Sequence, residues 1–388
     1  MLGRALIAAL WLTSMVAVSG PAAAQSTMRI GVSGPFTGGS SPMGLSMRNG
    51  IRLAVEELNA AGGLLGRRIE LVERDDQASN ELGFKVAQDL VKREGVIATV
   101  GIVNTGVALA SQKVYQEARI PVINAVATGS IITRQFRPPE HPDNYVFRVS
   151  ASDLIQSAMI VREVVERMQK TRIAILADST NYGQLGRQDV ERALNSRGLV
   201  PVVVEKYNIR DMDLLPQLQR ARAANAEVVV TYGIGPELAA IANGMAKLGW
   251  RVPVVGSWTL AMENFIDRAG PNGNGARMPQ TFIQEASSAK RRAFIAAYQK
   301  QYKVERIPSA VSAAQGYDGM LLLAAAIRQA NSTEGPRIRE ALEDLRDAVD
   351  GVIARYERPW TREDHEAIKP SMVVMGEVRD GRVVRAGP

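Results

Sequence analysis

The sequence predicts an α/β protein made of two doubly wound parallel-sheet lobes. Three observations predict this class. Short β-branched runs alternate with amphipathic stretches from Met28 onward, the alternation starts again near the middle of the chain, and 388 residues exceed what one typical hydrophobic core holds. Helices that connect parallel strands cover both faces of a sheet, so we expect helical layers on either side of each sheet.

The first half of the pattern begins with the strand "MRIGVSGP" and a helix over 49–59, which is largely apolar along one face. Gly62 and Gly63 follow this helix and suit the left-handed conformation that ends many helices. The elements expected next are the strand "RRIELVERDD", a helix over 80–93, the strand "VIATVG", a helix over 107–118 and the strand "IPVINA".

The second half repeats the cycle from the strand "YVFRVS", which leads to a helix over 153–169 with Ser152 as its N-cap. The elements expected after it are the strand "TRIAILAD", a helix over 186–196, "LVPVVVEKY", a helix over 213–224, "AEVVVTYG", a helix over 236–248 and "VPVVGSW". A glycine-rich loop over 270–280 precedes two long helices, 289–302 and 310–330, and two terminal segments with strand character. Periodicity alone does not assign these late elements to a lobe.

The first 24 residues have the pattern of a secretory signal peptide. Arg4 supplies the positive start, residues 6–18 form an apolar stretch, and the alanines at 22–24 supply a small-residue cleavage site before Gln25. No later segment offers about 18 uninterrupted apolar residues. We therefore expect an exported, periplasmic protein whose mature chain does not insert into the membrane.

The composition excludes several kinds of chemistry. The chain has no cysteine, which excludes disulfides, thiolate metal ligands, a thiol nucleophile and a lipidated N-terminal cysteine. His141 and His365 are the only histidines, so we do not expect a histidine-based metal or catalytic cluster. The net charge of +7 arises from basic residues interspersed with acids, which is typical of a solvated surface and not of nucleic-acid binding.

Catalytic and cofactor motifs are missing: there is no G-x-S-x-G, no G-x-x-x-x-G-K-[ST] and no H-E-x-x-H. The stretch "GIGPEL" lies between a strand and a helix as a dinucleotide-binding loop does, but Leu238 occupies its third glycine position, which favours a tight turn. Asp75 and Asp76 could form an acid/base pair, yet neighbours on a strand face opposite sides, which favours loop-ordering carboxylates. We therefore expect a protein that is not an enzyme and binds no cofactor or metal.

Two strand-to-helix turns in the first half are candidates for binding an anion. "VNTG" follows "TVGI" and "VATGS" follows "IPVIN", and in open α/β sheets ligands bind beyond the carboxyl ends of the strands. Each turn offers a threonine hydroxyl, Thr105 or Thr128, and unblocked N–H groups at the positive end of a helix, which together suit a carboxylate. The helix dipole alone contributes only about 0.3–1 kcal/mol, and the two threonines could equally cap their own helices.

The order and spacing of these segments resemble the leucine/isoleucine/valine-binding family, the periplasmic substrate-binding proteins of ABC importers. The segments that carry the resemblance are "IGVSGPFTGGSSPMGLSMRNGIRLAVEELNAAGGLLGRRIELVERDDQ", "VGIVNTGVALASQKVYQEARIPVINAVAT", "DSTNYGQ" and "YGIGPELAAIANGMAKLG". The resemblance implies a periplasmic-binding-protein-like I fold, with three crossovers between the lobes and the ligand in the cleft. After the predicted signal peptide, 1–24, it assigns 27–147 plus 282–354 to lobe one and 148–281 plus 355–388 to lobe two.

The same resemblance implies which residues face the ligand. The hydroxyl and N–H groups at Thr105 and the N–H of Thr128 would hold the substrate carboxylate, and Tyr182 would close over the ligand from lobe two. The expected ligand-binding residues are Met43, Asn104, Thr105, Ala127, Thr128, Gly129, Tyr182, Tyr232, Trp258 and Phe282.

Two positions depart from the family pattern. Amino-acid binders of the family hold the substrate ammonium with an acid in a G-x-[DE] pattern, where this chain has Gly256, Ser257 and Trp258, and Met43 replaces an aromatic residue. Trp258 cannot neutralise an ammonium by a salt bridge, but it can stack on an aromatic ring. The departures favour an aromatic or aryl-keto carboxylic acid of the benzoate, phenylpropenoate or phenylpyruvate type. The alternative is a branched-chain or other aliphatic amino acid whose ammonium a nearby acid such as Glu263 would serve.

The expected mechanism is binding with lobe closure, in which the anion docks on lobe one and lobe two swings over it. The expected partners are a small carboxylate ligand and the membrane permease subunits of an ABC importer, and we expect a monomer. A ligand-sensing receptor module with the same fold is a second alternative. A dehydrogenase would need an intact phosphate loop, which this sequence lacks.

Overall fold

The computed structural model describes residues 27–387, so the predicted signal peptide lies outside the described residues. The strands are β1 (Thr27–Gly34), β2 (Arg68–Asp75), β3 (Ala98–Gly101), β4 (Val122–Asn124), β5 (Val146–Arg148), β6 (Ile173–Asp178), β7 (Val203–Tyr207), β8 (Val228–Tyr232), β9 (Val254–Gly256), β10 (Arg277–Gln280), β11 (Val349–Asp350), β12 (Arg355–Tyr356), β13 (Val374–Arg379) and β14 (Arg382–Arg385). The α-helices are α1 (Ser41–Ala60), α2 (Asn80–Lys92), α3 (Thr105–Ala118), α4 (Asp153–Arg162), α5 (Asn181–Asn195), α6 (Leu215–Ala223), α7 (Glu237–Lys247), α8 (Glu263–Ala269), α9 (Ala289–Tyr302), α10 (Ala310–Ala330) and α11 (Gly335–Glu343).

Two sheets organise the molecule. The first has the order β2-β1-β3-β4-β5, and every neighbouring pair in it is parallel. The second has the order β14-β13-β10-β9-β8-β6-β7, in which β13 pairs antiparallel with both β10 and β14 while the other pairs are parallel. The two-residue strands β11 and β12 form a separate antiparallel pair. The predicted α/β class with parallel sheets is confirmed.

The prediction that the strand "YVFRVS" opens the second half is wrong. Its structured part, β5, pairs in parallel with β4, with Val146 opposite Val122, so this strand completes the first sheet. Strand and helix alternation along the chain does not reveal which sheet a strand joins, because strand pairing depends on contacts that are distant in sequence. The second sheet therefore begins after α4.

Three helices begin earlier than periodicity predicts, and the smallest difference is in α3, which starts at Thr105 and not at Val107. α1 starts at Ser41. The prediction missed its first two turns because small and polar residues there obscure the apolar pattern. α5 starts at Asn181, where the Thr180 hydroxyl caps the helix by accepting a hydrogen bond from the N–H of Gly183. Tyr182, which the sequence places in a polar loop, consequently lies in the first turn of α5.

The late helix α10 packs on α1 and belongs to the first sheet's side of the molecule. The approach is so close that a Cβ atom added to Gly50 would lie 2.0 Å from the carbonyl oxygen of Ala313. Within the described residues, α10 is the one helix long and apolar enough to span a bilayer, and 83% of its most apolar window is buried in the fold. Burial inside the protein accounts for its apolar character.

The hydrophobic core crosses from one sheet to the other. One buried cluster includes Ile30 in β1 and Ile175 in β6, together with Tyr182 and Trp258. A second cluster lies on the other face of the second sheet, between it and the layer formed by α6, α7 and α8. Residues of both sheets therefore belong to one apolar cluster.

The two motifs weighed as catalytic in the sequence have structural roles. Asp75 accepts from the N–H of Phe36 at 2.8 Å, and Asp76 accepts from the Ser33 hydroxyl at 2.9 Å. Both carboxylates thus order the loops around the end of β1. In "GIGPEL", Pro236 takes the N-cap position of α7, as a tight strand-to-helix turn requires.

Candidate ligand-binding cleft

Helix α3 begins at the carboxyl end of β3 without a side-chain cap. Asn104 occupies the N-cap position but makes no capping hydrogen bond, and its Nδ2 atom instead donates to Ser40 Oγ at 3.2 Å. Thr105, the first residue of the helix, is buried. Because the first-turn N–H groups of a helix have no intrahelical acceptor, this end of α3 presents donors toward its surroundings.

The two predicted anion turns lie against each other. The hydroxyl of Thr105 accepts a hydrogen bond from the N–H of Gly129 at 3.3 Å, so Thr105 does not cap its own helix. A Cβ atom added to Gly129 would lie 2.4 Å from Thr105 Cγ2, which explains why the smallest residue is needed there. The two turns follow β3 and β4, which are neighbouring strands of the first sheet, and they therefore lie side by side at its edge.

The turn after β4 is fixed through three successive carbonyl groups, those of Ala127, Thr128 and Gly129. Their donors, in order, are Ser150 Oγ at 2.8 Å, the N–H of Asp153 at 2.9 Å and Arg148 Nη1 at 2.7 Å. In a planar trans peptide the N–H points away from the carbonyl of the same peptide group. The Thr128 N–H, which belongs to the Ala127 peptide group, therefore points away from the segment 148–153.

Tyr182 and Tyr232 pack together beside this turn. Their ring centroids are 5.1 Å apart at an interplanar angle of 53°, and both side chains are buried. The Tyr232 hydroxyl donates to Asp153 Oδ1 at 2.7 Å, whereas the Tyr182 hydroxyl lies near the Ser257 and Thr259 hydroxyls without a well-formed hydrogen bond. Burial raises the pKa of Tyr182 well above its usual value, and the neighbouring Asp153 carboxyl adds to this shift. Tyr182 therefore stays neutral and can act as a hydrogen-bond donor.

Asp153 is a site residue that sequence reasoning missed. It is completely buried, its Oδ1 atom accepts from Tyr232 and from Gln156 Nε2 at 3.3 Å, and its Oδ2 atom has no hydrogen-bond partner. Burial raises the pKa of Asp153 to about 7, against the opposing effects of the neighbouring Tyr232 and Thr128 hydroxyls. In the sequence it looks like an ordinary first-turn acid after the N-cap Ser152. The available signal was the polar pair Asp153 and Gln156 on an otherwise apolar helix.

Trp258 is fixed to the same helix start through its backbone. Its N–H donates to Gln156 Oε1 at 3.1 Å, and its carbonyl accepts from Gln280 Nε2 at 3.1 Å. The side chain is 6% exposed, and the buried indole N–H has no hydrogen-bond partner. Since Gln156 also bonds Asp153, one side chain holds both the backbone of Trp258 and the carboxyl of Asp153.

Phe282 lies at the wall of a larger groove. The groove has a volume of about 1010 Å³, and both Trp258 and Phe282 line it. Glu263 lines the same groove, where its carboxylate lies 3.7 Å from the Arg306 guanidinium. Glu263, the acid considered as a partner for a ligand ammonium, therefore already has Arg306 as its partner.

Met43 is buried in the first turn of α1. Its N–H donates to the carbonyl of Ser40 at 3.1 Å, and Ser40 in turn accepts from Asn104. The start of α1 is therefore adjacent to the start of α3, and Met43 lies one helical turn from the contact between them.

Buried polar atoms without a hydrogen-bond partner recur among these residues. They are Asn104 Oδ1, Thr128 Oγ1, Asp153 Oδ2, the Tyr182 hydroxyl and Trp258 Nε1. Each buried, unsatisfied polar group costs about 1–3 kcal/mol, so a linked group of them indicates a place where a ligand supplies the missing partners. The hydrogen bonds and ring contacts described above connect these residues into one region, which we call the cleft site.

Polar contacts join opposite sides of the cleft. Asn80 Nδ2 at the start of α2 donates to Asn181 Oδ1 at the start of α5, at 3.3 Å. Asn264 Nδ2 in α8 donates to the carbonyl of Gly39 at 3.0 Å. The sides therefore touch, and the cleft site lies between them.

The fold and the cleft together define a two-lobed α/β ligand-binding architecture. The chain belongs to the periplasmic binding protein family, because a family model described as "Periplasmic binding protein" matches residues 27–382. A curated relative, Leu/Ile/Val-binding protein homolog 3 of Brucella melitensis, is 27% identical over 323 residues, which cover 83% of this chain and 84% of the relative.

Solved structures share the fold. The branched-chain amino acid transporter substrate-binding protein of Streptococcus pneumoniae, in complex with isoleucine, has a TM-score of 0.80 at 24% identity and covers 92% of this chain and 98% of its own. A solute-binding protein of an ABC transporter from R. palustris, in complex with benzoate, has a TM-score of 0.78 at 20% identity. The match covers 93% of this chain and 96% of the R. palustris chain. The expected periplasmic-binding-protein-like I fold is confirmed.

Proposed function

We propose that this protein is the periplasmic solute-binding component of an ABC importer and that it binds a small carboxylate in the cleft site. The favoured ligand is an aromatic or aryl-keto carboxylic acid of the benzoate, phenylpropenoate or phenylpyruvate type. The observation that carries the proposal is the contact between Thr105 and Gly129, which brings two donor-rich turns to one point.

The carboxylate end of the ligand binds at these turns. The N–H groups of the first turn of α3 and the N–H of Thr128 are donors, and the Thr128 hydroxyl is buried without a partner. Hydrogen bonds to a charged group contribute about 1.5–3 kcal/mol each, more than neutral ones. A fixed set of such donors holds an anion in one orientation.

The aromatic end packs against Trp258 and Tyr182. Burying the roughly 150–250 Å² of an aromatic ring contributes up to about 4–6 kcal/mol at ~25 cal/mol per Å². Micromolar affinity requires about 8 kcal/mol, which the ring and the anion contacts reach together. The 20%-identical benzoate complex supports this ligand class only by showing that the fold accommodates it.

A second candidate ligand is a branched-chain or other aliphatic amino acid, and Asp153 is the observation that favours it. Its unpartnered Oδ2 atom is the one buried carboxylate oxygen of the cleft site that could accept from a ligand ammonium. Trp258, at the family's usual acid position, cannot serve this purpose by ion pairing. The isoleucine complex of the Streptococcus pneumoniae protein shows that the fold accommodates this class as well.

Closure of the lobes is the proposed mechanism. Lobe one would combine 27–147 with 282–354, and lobe two 148–281 with 355–388, so that α3 and α5 approach from opposite sides. A ligand shifts the balance between open and closed forms only by its differential affinity for them. Contacts with both sides, at Thr105 and at Tyr182, provide that difference.

Calorimetric titration of the mature protein decides between the ligand classes. The panel is benzoate, cinnamate, phenylpyruvate, leucine and valine, each titrated into wild type and Asp153→Asn. If the ligand is an aryl acid, we expect it to bind wild type and to bind Asp153→Asn equally well or more tightly, because the variant lacks the Asp153 charge. If leucine or valine binds wild type and its affinity falls in Asp153→Asn, the ligand is an amino acid. If no compound of the panel binds, the proposal is wrong.

Transport is tested separately from binding. Purified mature protein is added to membrane vesicles that contain candidate permease subunits, and uptake of the radiolabelled ligand from the panel is measured. Uptake that depends on the protein supports an importer component. Ligand binding without uptake by any permease would indicate a sensing module.

A further inference from the structure

Arg148 is a buried cation directly behind the carboxylate-binding turn. It is the last residue of β5 and is completely buried, and its Nη1 atom donates to the carbonyl of Gly129 at 2.7 Å. A buried charge is retained only when it is paired and hydrogen-bonded, so the orientation of this guanidinium depends on its partners.

Glu366 supplies those partners from the segment 357–373, which leads from β12 to β13 and which we call the third connection; the first connection is the segment 149–152 after β5. Arg148 Nε donates to Glu366 Oε2 at 2.7 Å, and Nη2 donates to Oε1 at 2.5 Å, so the pair is bidentate. Thr133 Oγ1 also donates to Oε1 at 2.5 Å, which fixes the carboxylate itself. With two nitrogens held by Glu366, the third is aimed at Gly129.

The backbone around Arg148 is tied to the same connection. Its N–H donates to the carbonyl of His365 at 3.0 Å, and its carbonyl accepts from the N–H of Ala367 at 3.0 Å and from Trp360 Nε1 at 3.1 Å. The first and third connections therefore run side by side at this point. A movement of either is transmitted to the guanidinium.

The bond to Gly129 has two consequences for an anion. It fixes the Gly129–Ser130 peptide group, whose N–H then points away from Arg148, as the Thr128 N–H points away from Ser150. A cation on the carbonyl also polarises the peptide group and strengthens its N–H as a donor. Because Arg148 and Glu366 form a pair that is neutral overall, what remains is a dipole whose positive guanidinium end lies toward the turn, and its attraction acts more strongly on a charged ligand than on an uncharged one.

We propose that Arg148, oriented by Glu366, is a positioning residue that tunes the turn 127–130 for a carboxylate and couples it to the first and third connections. The inference rests on the proposed function. Arg148 need not touch the ligand; it acts through Gly129. The preference for a charged ligand therefore depends in part on Glu366, although Glu366 lies outside the cleft site.

The experiment compares a carboxylate with its uncharged amide. The probe is whichever of benzoate, cinnamate, phenylpyruvate or leucine binds wild type best, with the matching primary amide, and affinities are measured by calorimetry beside thermal unfolding. The variants are Arg148→Met, Arg148→Lys and Glu366→Gln. Arg277→Lys is the matched control, because Arg277 is another guanidinium held by two carboxylates, Glu163 and Glu377, but does not contact this turn.

We expect Arg148→Met to lower the carboxylate affinity by about tenfold or more and the amide affinity by less than about threefold. Arg148→Lys keeps the charge and is expected to recover part of the loss, and Glu366→Gln is expected to lower the carboxylate affinity by about threefold to tenfold. Arg277→Lys should lower the unfolding temperature and leave the carboxylate-to-amide ratio unchanged.

An unchanged carboxylate-to-amide ratio in the Arg148 variants would overturn the inference. So would a rise in carboxylate affinity in Glu366→Gln, which would mean that Glu366 only opposes the anion. If Arg148→Met does not fold, Arg148→Lys and Glu366→Gln decide. If Thr105→Ala weakens binding while the Arg148 and Glu366 variants bind like wild type, this inference is wrong and the proposed function stands. If wild type binds none of the probes, the proposed function is wrong as well.

Discussion

The hydroxyl of Tyr232 donates to Asp153 Oδ1 across 2.7 Å, although 79 positions separate the two residues in the chain. Tyr232 ends β8 in the second sheet, and Asp153 begins α4 shortly after β5 in the first sheet. The bond therefore ties the start of α4 to the second sheet. The N–H of Asp153 also donates to the carbonyl of Thr128, in the turn after β4, so Asp153 contacts both the second sheet and the turn that follows the first sheet's strand β4.

Thr105→Ala is expected to weaken carboxylate binding by about 1–3 kcal/mol, because a hydroxyl that organises the anion turns is removed. Calorimetric titration with the best-binding member of the carboxylate panel measures the loss. Thr105→Ser is the matched control, since it retains the hydroxyl and should remain within about threefold of wild type. Wild-type affinity in Thr105→Ala would show that the hydroxyl serves only the packing of the turns.

Trp258→Glu is expected to reverse ligand preference. The variant removes the aromatic surface and places an acid where amino-acid binders of the family have one, so aryl carboxylates should lose about tenfold or more and leucine should gain. Competition titrations of benzoate against leucine measure the change. Trp258→Phe retains an aromatic ring and should keep the wild-type order; an unaltered preference in Trp258→Glu would place the indole outside the ligand contacts.

The pH dependence of binding separates the ligand classes because Asp153 ionises near neutrality. Burial raises its pKa to about 7, the Tyr232 hydroxyl opposes this, and Asp189 and Arg148 are the charged groups that also influence it. As the pH rises between about 6 and 8, Asp153 gains a negative charge. The affinity for an aryl carboxylate should then fall, and the affinity for an amino acid whose ammonium meets Asp153 should rise.

Asp153→Asn is the control for this pH effect and should remove it. The same titration also has a consequence for folding, with a definite sign. Because the folded-state pKa lies above the ordinary value of 3.8, the folded protein holds the proton more tightly, and the stability that Asp153 contributes is lost as the pH rises from about 4 to 7. Thermal unfolding of Asp153→Asn should therefore improve relative to wild type toward the upper end of this range. Parallel unfolding curves at every pH would contradict it.

Gly129→Ala is expected to weaken binding through Thr105. The added Cβ would lie 2.4 Å from Thr105 Cγ2, so the threonine side chain must move, and overpacking of this kind costs about 1–3 kcal/mol. Thr105→Ser removes the methyl group in question. The double variant should bind better than the sum of the single losses predicts, by about 0.5 kcal/mol or more in a double-mutant cycle. Strict additivity would mean that the contact does not transmit to the ligand.

Local chemistry explains why part of the cleft site could be predicted. Thr105 and Thr128 follow short β-branched strands directly, and the rule that ligands bind at the carboxyl ends of parallel strands needs only that order. Trp258 is a candidate only through the family resemblance, because it follows "VPVVG" where amino-acid binders of the family have an acid. The ligand-binding role of all three residues stays a prediction.

The rest depends on contacts between distant segments. Asp153 looks like a solvent-exposed first-turn acid until Tyr232 and the carbonyl of Thr128 are placed beside it. The polar residues around Tyr182 suggested a loop because the capping hydroxyl of Thr180, which starts α5, is recognised only with the helix in place. Assignment of β5 to the first sheet likewise required its pairing partner.

The apolar cluster that includes Ile30 and Ile175 has a consequence for how the molecule melts. Since the two sheets share it, neither half can lose its packing without exposing part of the other, and calorimetry should record a single cooperative endotherm for the mature chain. The layer of α6, α7 and α8 has an interior of its own. Amide hydrogen exchange should consequently detect this outer layer opening as a separate unit at lower free energy than the rest.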